Sequence, residues 1–294
     1  MTKILDGKKL SLILQKSLKE KINRLEEKPS LTVVLVGEDK ASQIYVKNKE
    51  NIAKNIGIKT NTIHLSNETT TNELLSIIDK LNEDNSVNGI LVQLPLPSHI
   101  NENYVIERIS PQKDVDGFTP VNIGKLLIGN KKTRIPCTPL GIIKLLKYSK
   151  VELEGKNVVI VGRSNIVGKP MIHLLLEENA TVTITHSKTK NLKDITKQAD
   201  ILIVAIGKPN FITKDFIKNN SVVIDVGINR VGKDIVGDVD FNDVIDKVSL
   251  VTPVPGGIGP LTITMLMEQT YKAYIQQKDI RGEFKDEKYS NWYS

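Results

Sequence analysis

The sequence predicts an α/β protein of two domains, with helices laid against parallel strands. Three observations lead there. The 294 residues exceed the usual length of one domain, about 100–200 residues. Short apolar runs alternate with amphipathic stretches along most of the chain, an order that yields parallel strands joined by crossover helices. The runs are also nearly continuous in Val, Ile and Leu, as in strands covered on both faces.

Taken in order, Leu10, Ile13, Leu14, Leu18 and Ile22 recur at helical spacing and mark an N-terminal surface helix. "LTVVLVG" (31–37) is a strand, 42–57 a helix closed by Gly57, 59–65 a second strand, 72–84 a helix, and "GILVQLPLP" (89–97) a third strand ended by prolines. A less regular stretch covers 110–137. A second cycle has a helix at 138–149, strands at 157–162, 180–186, 200–207 and 221–227, and helices at 166–179 and 191–199. A Gly/Pro-rich turn leads into a last helix at 261–277. The tail "RGEFKDEKYSNWYS" is polar and reads as poorly ordered.

Composition narrows the function classes. At 39% hydrophobic, 26% charged and only 4% aromatic, the cores must be built from Ile, Leu and Val. A net charge of +7 favours anionic partners. The lysines are scattered, with no dense basic block, so nucleic acid is not an expected partner, whereas a phosphorylated cofactor or a polyanionic small substrate fits. Cys137 is the single cysteine, which excludes an internal disulfide and fits a reducing compartment. The first residues lack the apolar stretch of a signal peptide, and no window nears the roughly 18 apolar residues of a membrane span. The expected location is the cytoplasm, with no membrane partner. His64, His99, His173 and His186 show no metal-ligand spacing. A calcium loop starting at Asp114 would need Glu where Lys125 stands. No metal is expected.

"NVVIVGRSNIVGKPMIHLL" (157–175) holds a glycine loop between a strand and a helix. A P-loop requires G-x-x-x-x-G-K-[ST]. Gly162 and Gly168 are one residue too far apart for it, and Pro170 replaces the hydroxyl residue. The strict G-x-G-x-x-G is absent too, because Arg163 and Ser164 follow the first glycine. The strand–loop–helix setting nevertheless aims backbone N–H groups at a pyrophosphate; a ligand-free βαβ turn is the alternative. Where an NAD site carries a carboxylate for the ribose 2′-OH, "THSKTK" (185–190) offers Ser187, Lys188 and Lys190. A hydroxyl and cations suit a 2′-phosphate, so the cofactor read here is NADP, with Arg163 able to reach the same phosphate. Solvated surface lysines are the plainer alternative.

In "ASQIYVKNKENIAK" Tyr45 and Lys49 are four apart and share a helical face that continues through Ile52 and Ile56, with Lys47, Glu50 and Lys54 opposite. Lys49 either snorkels to water or faces a cleft, where low-dielectric surroundings favour the neutral amine and fit it for proton transfer. Tyr-x-x-x-Lys is also the catalytic pair of short-chain dehydrogenases, but there it follows the nucleotide loop, and here it precedes it by more than a hundred residues. Gln93 in "VQLPLP" ends an apolar run and needs partners, Lys49 or backbone. Asp114 and Asp116 in "DVDG" form a turn or accept paired hydrogen bonds from an amino-pyrimidine-like ring. "TPVPGGIGPLT" (252–262) allows close approach of backbone to a flat ligand, or simply connects domains.

Together "ASQIYVKNK", "VQLPLP", "KDVDG", "GRSNIVGKP", "HSKT" and "PGGIGPLT", in this order, resemble the bifunctional methylenetetrahydrofolate dehydrogenase/methenyltetrahydrofolate cyclohydrolase family, from about residue 2 to residue 278. The resemblance implies an N-terminal α/β catalytic domain, residues 1–120 plus 262–294, that binds folate. It implies a Rossmann-like NADP-binding domain with a parallel sheet over 121–261. It implies oxidation of 5,10-methylenetetrahydrofolate with NADP⁺, then hydrolysis to 10-formyltetrahydrofolate, in homodimers. By the same resemblance Lys49 assists hydride transfer and drives hydrolysis, and Gln93 tunes its protonation. Tyr45 packs on the folate, Leu94 lines it, Asp116 holds the pterin ring, and the Pro260 turn closes over it. Gly162, Arg163, Ser164, Ser187 and Ile228 bind NADP. The rival readings are a P-loop NTPase, a non-catalytic NADP-binding protein of the same fold, and a dehydrogenase lacking the second activity. The tail 279–294 has no counterpart in the resemblance.

Overall fold

The computed structural model describes residues 3–283 of the chain. Residues 284–294, most of the polar tail, lie outside the described residues. The elements run β1 (Lys3–Ile4), α1 (Gly7–Asn23), β2 (Ser30–Val36), α2 (Lys40–Ile56), β3 (Lys59–Leu65), α3 (Thr71–Glu83), β4 (Gly89–Val92), α4 (Glu102–Arg108) and α5 (Pro120–Leu127). There follow α6 (Cys137–Tyr148), β5 (Asn157–Val161), α7 (Gly168–Glu177), β6 (Thr181–Thr185), α8 (Leu192–Thr196), β7 (Ile201–Val204) and β8 (Val222–Asp225). The hairpin β9 (Asn229–Val231) and β10 (Asp234–Val236), then α9 (Phe241–Val244), β11 (Leu250–Val251) and α10 (Ile258–Ile280), complete the order.

The described chain divides into two bodies, residues 14–135 with 266–283, and residues 3–13 with 136–265. The boundaries differ from the sequence reading for identifiable reasons. Residues 3–13 join the second body because β1 pairs in parallel with β11. Residues 121–135 join the first because the Asn122 Nδ2 donates to Asp114 Oδ2 at 2.8 Å and the Thr133 hydroxyl donates to the Asn122 carbonyl at 3.0 Å.

In the first body, β2 lies between β3 and β4 and all three strands are parallel. Val34, Val36, Ile90 and Val92 pack with Leu74 and Ile78 of α3 and Val105 of α4 into one apolar cluster. Each buried Val, Leu or Ile contributes roughly 1.5–3 kcal/mol relative to exposure. The start of β4 is tied to α10 by an amide pair. Gln277 Nε2 donates to the Asn88 carbonyl at 2.8 Å, and Asn88 Nδ2 donates to Gln277 Oε1 at 3.1 Å. α2 starts at Asp39, whose carboxylate accepts the Ser42 N–H at 2.7 Å, and ends at Gly57 as expected.

The second body carries a six-stranded, wholly parallel sheet of order β1-β11-β8-β7-β5-β6. β7 and β8 are buried throughout, and β5 in all but its first residue. Their side chains meet Ile212, Phe216, Val239 and Val244 in one cluster. The carboxyl ends of β5, β7 and β8 are the positions where ligands of open parallel sheets collect.

Candidate active site

In the first body, α2 brings Tyr45 and Lys49 to one face and β4 delivers Gln93 one residue beyond its last paired position. The strand is shorter than the predicted 89–97, because pairing stops at Val92 and Gln93–Pro97 run on as loop. One backbone bond still registers the loop: the Gln93 N–H donates to the Val34 carbonyl at 2.9 Å. Lys49 Nζ donates to Gln93 Oε1 at 2.9 Å, and Gln93 Nε2 donates to the Leu94 carbonyl at 2.6 Å. The second bond fixes which way the amide faces, with oxygen toward the lysine. A neutral acceptor orients an amine without holding a proton on it, as a carboxylate would. The Tyr45 ring is exposed at the start of the same face. Glu50, assigned by spacing to the far side, is half-buried and accepts the Thr62 hydroxyl of β3.

The two aspartates of "DVDG" part company. Asp114 is buried and accepts the N–H groups of Gly117 (2.8 Å), Phe118 (3.2 Å) and Thr119 (2.8 Å), besides Asn122 Nδ2. It builds the turn and has no lone pair to spare for a ligand. Asp116, two residues on, is half-buried in that turn. Asp114 thus makes the loop that carries Asp116. The clue in the sequence was Thr119-Pro120, a helix cap followed by proline at the first helical position.

In the second body the glycine loop closes over the end of β5. Gly162 has φ +122°, and a Cβ there would lie 2.2 Å from the Ala205 carbonyl oxygen. A Cβ on Gly168 would lie 2.2 Å from the Gly162 carbonyl oxygen. Both positions therefore exclude any side chain. The Ser164 hydroxyl accepts the N–H groups of Val167 (3.2 Å) and Gly168 (3.4 Å), so it caps the start of α7. A cavity of about 280 Å³ opens beside the loop, lined among others by Gly162, Arg163, His186, Ser187 and Lys208. His186 Nδ1 accepts the Lys188 N–H at 3.1 Å, leaving Nε2 as its N–H in the neutral ring. Lys208 and Phe211, which meet with Nζ 5.4 Å from the ring centroid, were not singled out in the sequence. They come from the loop after β7, where no periodic pattern reaches. Ser164 and Ile228 are not among the cavity's lining. Ile228 is exposed between β8 and β9, and its Cδ1 lies beside Gly259. Pro260, in the first turn of α10, gives its carbonyl to Ser11 Oγ (3.3 Å) and Thr264 Oγ1 (3.1 Å).

Two buried carboxylates stand behind this cavity. Asp225, the last residue of β8, accepts the N–H groups of Gly227, Asp238 and Val239, each at 2.9 Å. Burial outweighs those bonds and pushes its carboxyl up to about 6. Asp238 accepts the N–H groups of Ile206 (2.7 Å), Gly207 (3.0 Å) and Lys208 (2.8 Å). Among the described residues no three His, Cys, Asp or Glu side chains cluster so as to hold a metal, and no helix is long and apolar enough to cross a membrane.

A parallel sheet with a loop bounded by two glycines that admit no side chain at the carboxyl end of its β5 strand, in a chain that also presents an amide-held lysine, defines a dinucleotide-binding α/β enzyme. Residues 5–116 match the family described as tetrahydrofolate dehydrogenase/cyclohydrolase, catalytic domain, and residues 136–278 its NAD(P)-binding domain. The chain belongs to the tetrahydrofolate dehydrogenase/cyclohydrolase family. It is 55% identical over 282 residues to the bifunctional protein FolD of Streptococcus thermophilus, covering 94% of this chain and 99% of that one. Among solved structures it is similar to the bifunctional FolD methylenetetrahydrofolate dehydrogenase/cyclohydrolase of Campylobacter jejuni, with TM-score 0.93, 50% identity, and 94% and 100% of the two chains covered. It is also similar to the Trypanosoma brucei N5,N10-methylenetetrahydrofolate dehydrogenase-cyclohydrolase, complexed with NADP cofactor and inhibitor, with TM-score 0.90, 36% identity, and 95% and 99% covered.

Proposed function

We propose that this chain oxidises 5,10-methylenetetrahydrofolate to 5,10-methenyltetrahydrofolate with NADP⁺ and hydrolyses the product to 10-formyltetrahydrofolate, in folate one-carbon metabolism. Membership of the family and near-complete coverage of bifunctional relatives support both activities. The observation that carries the reading is the 2.9 Å bond from Lys49 to the Gln93 amide, which the Leu94 carbonyl orients.

The dinucleotide fits the second body, because Gly162 and Gly168 let the loop backbone pack tightly against Ala205 and against itself, beside a cavity lined by Gly162, Arg163 and Ser187. Backbone of this loop would face the pyrophosphate, with Arg163 and Ser187 at the 2′-phosphate and Ser164 holding the loop to α7. Ile228 would border the nucleoside. Bound NADP⁺ supplies the hydride acceptor. In the first body Tyr45 packs on the folate, Leu94 lines it and Asp116 accepts hydrogen bonds from the pterin. Lys49 works on protons. The methenyl product carries positive charge shared by two nitrogens, which a permanent ammonium would repel. Water adding to the methenyl carbon must lose a proton, and the neutral amine accepts it; the adduct's hydroxyl then becomes the formyl carbonyl, giving up its proton as the carbon–N5 bond breaks and N5 takes one up. Gln93 orients that amine in either state. The protein is read as a cytoplasmic homodimer; the single, buried Cys137 agrees with a reducing compartment.

The test supplies methylenetetrahydrofolate with NADP⁺ or NAD⁺ and follows the methenyl absorbance as it rises and decays. Lys49→Ala is expected to abolish the decay while NADP⁺ binding survives. Undiminished decay in that variant removes Lys49 from the mechanism.

A further inference from the structure

We propose that Asp238 is a positioning residue for the dinucleotide: its carboxylate clamps together the two loops that follow β7 and β8 and so sets the Ile206–Lys208 wall of the nucleotide cavity. The inference rests on the dinucleotide reading above. Asp238 is fully buried. Its Oδ2 accepts the Ile206 and Gly207 N–H groups at 2.7 and 3.0 Å, and its Oδ1 accepts the Lys208 N–H at 2.8 Å and Asn229 Nδ2 at 2.9 Å. Three successive backbone donors on one carboxylate fix the path of the loop through Lys208, which lines the cavity together with Arg163 and Ser187. The fourth donor belongs to Asn229, next to Ile228. One anion thus holds both loops in register.

The clamp is itself held. The Asp238 N–H donates to Asp225 Oδ1 at the end of β8, and the Asp238 carbonyl accepts the Ile212 N–H at 2.9 Å. A Cβ on Gly237 would lie 1.8 Å from Asp225 Oδ2, so the chain reaches this position only without a side chain. The charge of Asp238 is consumed by backbone N–H groups and an amide rather than by a cation, so it serves as an anchor for dipoles. Buried anions near a phosphate ligand are tolerable on those terms alone, since unsatisfied they would oppose it.

Asp238→Asn is nearly isosteric but turns an NH₂ toward two existing donors. Calorimetric titration of NADP⁺ into the full-length wild type, Asp238→Asn and Asn229→Ala, with steady-state kinetics, tests the proposal. Dissociation constant and KM for NADP⁺ are expected to rise about tenfold in Asp238→Asn, the loss of one charged hydrogen-bond set. KM for methylenetetrahydrofolate should move less than about twofold. Asn229→Ala, which removes one donor and leaves the carboxylate in place, should shift NADP⁺ in the same direction by a smaller factor, and it serves alone if Asp238→Asn does not fold. The double variant Asp238→Asn/Asn229→Asp exchanges amide and carboxylate, restores their mutual bond, and should recover part of the affinity. Unchanged NADP⁺ affinity in both single variants, or equal rises in KM for both substrates, overturns the clamp. Failure of the wild type to bind NADP⁺ overturns the dinucleotide reading, and the clamp with it.

Discussion

Replacing Gly162 by alanine puts a methyl where the structure has a carbonyl oxygen. The Cβ would lie 2.2 Å from Ala205 O, against the 3.4 Å at which ordinary contact begins, so the ends of β5 and β7 would have to part by 1.2 Å, the difference of the two. Those ends are neighbours in the sheet, with Val161 opposite Val204, and cannot part without losing the ladder. Overpacking of this kind costs about 1–3 kcal/mol. The positive φ of +122° at Gly162 adds about 1–3 kcal/mol for a residue with a Cβ. The total is about 2–6 kcal/mol. Gly155 supplies the control, since its φ is +70° but a Cβ there meets nothing within 4 Å. Gly155→Ala should therefore carry the backbone cost alone, about 1–2 kcal/mol. Scanning calorimetry of both variants reads the difference, at roughly 2–4 °C per kcal/mol for a unit of this size. Gly162→Ala should melt lower by several degrees and lose the further rise that NADP⁺ gives the wild type. Melting within a degree of Gly155→Ala, with the NADP⁺ effect intact, would refute both the close approach and the dependence of NADP⁺ binding on it.

Three other outcomes are expected. Gln93→Glu places a carboxylate 2.9 Å from the lysine amine, which favours the charged form, so the rise of hydrolysis rate with pH should move to higher pH; a profile that stays put uncouples the pair. Arg163→Ala should weaken NADP⁺ far more than NAD⁺ in parallel titrations, and equal weakening removes it from the 2′-phosphate. Asp225 has its carboxyl raised from 3.8 to about 6 by burial, so the folded state holds a proton that the unfolded chain releases. Its contribution to stability is full below the unfolded value and falls as pH rises through the folded one. At 1.36 kcal/mol per pH unit the whole shift is worth about 3 kcal/mol, of which about 2 kcal/mol is lost between pH 4 and 6. Unfolding curves of Asp225→Asn across that window should lack this slope relative to the wild type, and parallel curves would contradict the raised value.

The strands β5, β7 and β8 were legible because burial on both faces leaves an unbroken apolar run. α2 was legible because Gly57 marks its end. Lys49 and Gln93 could be paired on paper because an amide in an apolar strand needs a partner and few are at hand. α4 and α5 went unread although Asn101 and Thr119 cap them, since two turns are too short to show a helical period. β1 and β11 are two residues each and exist only through their neighbours. Only the family resemblance separates Asp116 from Asp114, since spacing alone treats them alike, and nothing in the sequence marks Asp225 and Asp238 as builders. Their partners are mostly backbone N–H groups, up to 32 positions away, which leave no trace in side-chain pattern.

The tether between the Gln93 amide nitrogen and the Leu94 carbonyl has a directional consequence for chemistry. An uncharged amine owns two hydrogens and one non-bonding electron pair. Because the amide presents oxygen, the amine spends a hydrogen on it, and the electron pair is left to one of the tetrahedral positions that do not face Gln93. The tether thus acts as a compass needle of a limited kind: it bars protonation of Lys49 from the side that Gln93 occupies.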